Sequence, residues 1–172
     1  MWAFMFESLH VGVAQADDVG SKAIVDILKP PAGHVLSLSE PATGMQIYRC
    51  LAQKEPGSFS WSLKAPEAEL RNDAGEVSGQ HYAGPTWRDK DGSKVVGELV
   101  AKTEAPESGS IPWLLLRAKS TAGSGVFSEI TFIQRVRTHG GNAPTVGCDQ
   151  NQAGKEVRVP YSALYRFFTL AR

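Results

Sequence analysis

Along this chain, short apolar-rich runs are separated by glycine-bearing turns, and within the runs apolar and polar positions tend to alternate one by one. The runs are "GMQIYRCLA", "SFSWSLKA", "EVSGQHY", "PTWRD", "SKVVGELVAK", "IPWLLLRAKS", "VFSEITFIQRVR" and "KEVRVPYSALYRFFTL". A period of two suits a strand with one face buried, and a helical period is almost absent. Between the runs, "RNDAGE", "RDKDGSK", "STAGSGV" and "HGGNAP" combine Gly with Asp, Asn or Ser. Those residues reach positive φ or bond to their own backbone, which is turn chemistry.

Two pairs of runs read as hairpins. "PTWRD" turns through Lys90-Asp91-Gly92 into "SKVVGELV", and "WLLLRAKST" turns through Ala122 to Gly125 into "VFSEITFIQ". The Gly84-Pro85 step breaks another ladder, because Pro85 has no N–H and restricts Gly84; Ala83 to Pro85 is then a corner between strands. The pattern predicts an all-β fold, a single antiparallel meander forming a barrel or a sandwich, with one or two short helices. The helical pieces are expected at "SKAIVDIL" near the start, at a turn in "APEAEL", and at "YSALYRFF". Trp61, Trp87 and Trp113 recur at one interval, as a repeated two-strand unit would place them, although hairpin pitch explains the interval equally well.

With 172 residues, 42% of them hydrophobic, the chain has the length of one domain and the means to build its core. Eighteen basic and eighteen acidic side chains cancel, so the net field that draws proteins to nucleic acid or anionic lipid is missing. The charge is uneven, however. Residues 1–116 hold ten Lys/Arg against fifteen Asp/Glu, and residues 117–172 hold eight against three. Either the strands pair and the charges intermingle, or the C-terminal third builds a cationic patch. No apolar run reaches the ~18 residues of a membrane span.

The first sixteen residues read as a degenerate or truncated signal peptide, leaving a single β domain over residues 17–172. "MWAFMFESLHVGVAQADD" begins apolar and reaches the small-x-small pattern Ala14-Gln15-Ala16, but Glu7 and His10 interrupt it and the first basic residue is Lys22. On that reading the protein is secreted, periplasmic or extracellular. Cys50 and Cys148 are the two cysteines, with no CxxC and no zinc spacing. In an exported protein they would form one long-range disulfide; in a cytosolic one they would be two buried thiols.

At "HYAGPTW", "DGSKVVGE", "IPWLLLRAKS", "ITFIQRVRTHGGNAPTVGC" and "VRVPYSALYRFF" the chain resembles a secreted bacterial and fungal family of domains of unknown function. The resemblance runs from about Pro31 to Leu170, with five blocks in order. It implies export, a mostly β fold and a cysteine pair compatible with a disulfide, and it carries over no activity.

Familiar catalytic signatures do not occur: no GxSxG, no GxxxxGK, no GxGxxG and no HExxH. Asn72, Asn142 and Asn151 are not followed by a glycosylation pattern. The histidines, His10, His34, His81 and His139, have no HxH or HxxxH spacing, so neither a metal nor another cofactor is expected.

Two clusters remain. His81 and Trp87 flank the Ala83–Pro85 corner, either packed in the core or framing a pocket mouth for a small polar or cyclic ligand. In "ITFIQRVRTHGG", strict alternation would put Arg135, Arg137 and His139 on one face, either solvated or arranged to hold a carboxylate, phosphate or sulfate. Trp113 and Tyr161 complete the candidate ligand-binding set, with Asp91 as an acidic partner. The sequence therefore points to a non-catalytic binder of a small polar ligand or a surface polymer such as a glycan. The alternatives are a structural or interaction protein of the cell surface or envelope, and an enzyme using His81, Asp91 and Arg135.

Overall fold

The computed structural model describes residues 26–172. The expected signal stretch lies outside them, and so does most of the expected helix in "SKAIVDIL". Eight antiparallel strands close in chain order into one barrel, the last returning to pair with the first. They are β1 (His34–Ala52), β2 (Phe59–Arg71), β3 (Val77–Tyr82), β4 (Thr86–Asp89), β5 (Lys94–Thr103), β6 (Trp113–Ala122), β7 (Phe132–Gly140) and β8 (Glu156–Leu170). One 3-10 turn, Gln150–Gln152, interrupts the last loop. Among the described residues no helix is long and apolar enough to cross a membrane.

Two stretches expected to be helical are strands. "YSALYRFF" lies within β8, where Tyr161, Ala163, Tyr165 and Phe167 alternate inward and are buried. Pairing with both β1 and β7 gives its backbone a ladder on each side, broken toward β7 only at Ala163, and this outweighs local propensity. "APEAEL" lies in β2, held in register against Ala42–Ile47 of β1. The three evenly spaced tryptophans are not equivalent. Trp87 is buried in the core, Trp113 packs beside an outer cluster of Leu28, Leu115 and Val136, and Trp61 donates to the Val146 carbonyl at one rim.

Both ends of the barrel are stopped. At one end Phe127 and Ile130, from the β6–β7 connection, are buried as a plug. Asp91, in the β4–β5 turn, fastens it. Its carboxylate accepts from the Ser93 backbone N–H (2.7 Å), the Ser93 hydroxyl (2.6 Å) and the Val126 N–H (2.8 Å). These bonds hold the Asp91 carboxyl below the usual carboxylate range. Gly125 approaches so closely that a Cβ there would collide with that carboxylate. At the other end Ile111 is buried, and the β7–β8 loop is tied to β1 by the Cys50–Cys148 disulfide and by the Tyr48 hydroxyl donating to the Gly141 carbonyl.

The wall itself is uneven. β3 has six residues and β4 four, against 13 in β2 and 10 in β5. The cause is local: a turn at Ala83–Pro85, with Gly84 at φ +91°, reverses the chain early. β3 therefore pairs with β2 only over Ala68–Arg71, and β4 with β5 only over Lys94–Val96. Beyond those pairings β2 and β5 have no strand between them. Where β3 and β4 are present, three ordinary strand spacings, roughly 14 Å measured along the curved wall, separate the axes of β2 and β5.

Candidate ligand-binding site

This gap is a window, and a cavity of about 350 Å³ opens through it. Leu63, Lys64, Ala65 and Pro66 come from the free edge of β2, and Gly97, Glu98 and Leu99 from β5. Ala83, Gly84 and Pro85 form the sill, and His81, Trp87, Leu114, Leu116, Arg135 and Tyr165 line the interior. Free sheet edges invite pairing with other chains, and here both are blunted. Lys64 on β2 and Val100 on β5 are the extra residues of β-bulges, and Pro66 removes a donor from the edge.

The charges at the mouth are neutralised. Lys64 pairs with Glu156 at 2.9 Å, and Glu98 with Arg117 at 2.7 Å. Deeper in, His81 stacks on Trp87 with ring centroids 4.4 Å apart and planes at 11°. Tyr165 lies 5.0 Å from the His81 ring and 5.3 Å from that of Trp87. His81 Nδ1 donates to the Thr86 carbonyl at 2.9 Å; a carbonyl only accepts, so Nδ1 carries the proton and Nε2 the lone pair. Burial pushes the imidazole down to about 3, and the nearby Arg135 charge adds to the depression. His81 is therefore neutral at physiological pH.

Arg135 enters this interior because it sits opposite Leu114 and Tyr165 in the β6–β7–β8 register, and all three point inward. Its Nε and Nη2 donate to the Pro112 carbonyl at 3.1 and 2.9 Å. Tyr161 lies behind, with its hydroxyl 3.4 Å from that of Tyr165, and burial raises both phenols.

The structure thus brings together His81, Trp87 and Arg135 at the cavity, with Tyr161 adjoining through Tyr165. It does not bring in the other candidates. Asp91 lies in the β4–β5 turn, at the end plugged by Phe127, whereas the cavity opens beside the β3–β4 turn at the other end. Trp113 belongs to the outer face.

Strict alternation also fails in β7. The β7–β8 register shifts between Val136 and His139, and Arg137 takes φ +50°. Arg135 consequently faces inward, whereas Arg137 and His139 are exposed, His139 beside Glu107. Leu63, Leu99, Leu114 and Leu116 were not among the candidates. The mismatch in length between β3–β4 and its neighbours, readable from the turn spacing, is the signal that could have found them.

The site lies within a stretch that a known family covers: the family model described as Protein of unknown function (DUF3455) matches residues 31–169. The chain belongs to that family. In this DUF3455 protein the match takes in all eight strands but for Leu170, so the window is part of the family domain. No curated protein and no solved structure matches the chain. Among the described residues of this DUF3455 domain, no group of three or more His, Cys, Asp or Glu is placed to hold a metal ion.

Proposed function

We propose that this domain binds a small, largely apolar ligand through the window, without acting on it chemically. The observation that carries the reading is the lateral cavity itself, within the size range of small-molecule sites of about 300–1,000 Å³. Its lining of Leu63, Leu99, Leu114, Leu116 and Trp87 offers apolar contact, with a few polar groups to orient a ligand. Catalysis is the weaker reading. A general base works best with a pKa near the operating pH, and His81 is held far below it. Asp91 is committed to the plug at the other end.

Export is part of the proposal. A Cys50–Cys148 disulfide suits an oxidising compartment, and the small-x-small pattern at Ala14–Ala16 suits a leader. A second reading, an envelope interaction protein, would use the exposed Leu63, Leu99 and Val100 around the window as its contact surface. Trp87 reports on the first reading. A library of lipids, organic acids and glycans should change tryptophan emission for some members, and the Trp87→Phe variant should lose most of that change. A flat response throughout would count against ligand binding. Concentration-dependent association in size-exclusion chromatography would instead favour the second reading.

A further inference from the structure

The cavity lining holds one cation, Arg135, that no carboxylate neutralises. Arg135 donates through Nε and Nη2 to the Pro112 carbonyl and also hydrogen-bonds the Tyr165 hydroxyl, both neutral groups, and no carboxylate among the described residues pairs with it. By contrast Lys64, the other cation of the lining, is engaged by Glu156.

Glu40 is the obvious internal counter-charge, since it is buried in the row that runs from Arg135 through Tyr165 to β1. It is not in contact with Arg135. Tyr165 stands between them, and the charges acting on Glu40 are those of Asp89 and Asp73 at the opposite side. A half-buried cation without a counter-ion is costly to maintain unless something supplies the negative charge.

From this unbalanced cation we infer that the ligand is a monoanionic amphiphile, its carboxylate seated on Arg135 and its apolar tail running between Leu114 and Leu116 toward the window. The inference rests on the lateral-pocket reading above. Guanidinium and carboxylate match in geometry and charge, and Arg135 has N–H groups beyond the two that it gives to Pro112. One cation balances one negative charge, so a carboxylate fits better than a phosphate dianion, whose second charge would be desolvated without a partner. The tail meets leucines on the way out and exposed apolar side chains, Leu63 and Leu99, at the rim.

The test uses the full chain and a head-group series on one tail: octanoate, octanol, octylamine and octyl phosphate, titrated by calorimetry and by Trp87 emission. Octanoate should bind roughly tenfold or more tightly than octanol, and octylamine should be weakest. Arg135→Met, checked for folding by circular dichroism, should lose that preference while keeping octanol. Arg135→Lys should retain part of it, and Glu40→Gln all of it. Equal binding of octanoate and octanol would overturn the anion inference and leave the pocket reading standing. Tightest binding of octyl phosphate would overturn the choice of a single charge. Failure of every probe, charged and neutral, would overturn both readings. Should Arg135→Met not fold, the head-group series on the wild type and on Arg135→Lys still decides.

Discussion

Acidification should weaken the fold through His81, in a pH window set by its burial. The folded imidazole titrates at about 3, against 6.5 for a free one. Between those values the unfolded chain binds one more proton than the folded chain, so stability falls as the pH falls. The contribution is intact above the unfolded pKa and is progressively lost down to the folded one. At 1.36 kcal/mol per unit, the loss is about 2 kcal/mol by pH 5 and about 3 kcal/mol by pH 4. Glu40 acts with the opposite sign. Burial raises its carboxyl, which stabilises the fold at low pH and less as the pH rises through its folded value.

A difference measurement separates the two. Urea unfolding of the wild type and of His81→Gln, from neutral pH down to about 4, leaves Glu40 in both proteins. His81→Gln will be less stable at neutral pH, since it gives up the stack on Trp87. The gap should then narrow by about 2 kcal/mol on reaching pH 5. If the two proteins lose stability in parallel, His81 is not the buried neutral group described, and the packing around Trp87 is wrong.

Other perturbations address separate parts of the barrel. Replacing Cys50 and Cys148 together by alanine removes a cross-link spanning 98 residues and should lower stability by about 4–5 kcal/mol on the chain-entropy account, read by denaturation with and without reductant. Asp91→Ala releases the Ser93 and Val126 N–H groups and should cost about 1–3 kcal/mol in urea unfolding while leaving ligand affinity unchanged. At Gly97 a Cβ would meet Leu116 and Trp87 at 3.0 Å, so Gly97→Val should both destabilise by about 1–3 kcal/mol and weaken binding, measured by urea unfolding and by titration of Trp87 emission.

Much of the architecture was legible because turns and alternation are local. The turns at 83–85 and 90–92 could be read directly from Gly, Pro and Asp, and with them the hairpin that is too short for its neighbours. β8 was harder. Tyr161, Tyr165 and Phe168 satisfy a helical spacing as well as a strand's, and only long-range pairing with β1 and β7 decides between them. In β7 the obstacle was the bulge at Arg137, a non-glycine residue at positive φ whose conformation no local residue preference favours. Arg135 could be named as a candidate from the sequence. That it shares a cavity with His81 and Trp87 depends on barrel closure, which brings β3, β4 and β7 around one space.

The central claim is that the short β3–β4 hairpin opens the barrel to an anionic amphiphile at Arg135. Amide and indole chemical shifts followed during titration with octanoate test it most directly. The account predicts the largest changes at the Trp87 indole, Leu114, Leu116, Arg135 and the Gly97–Leu99 edge, with the Phe127 plug unmoved. Changes confined to the outer face around Leu28 and Trp113, or none at saturating octanoate, would contradict it.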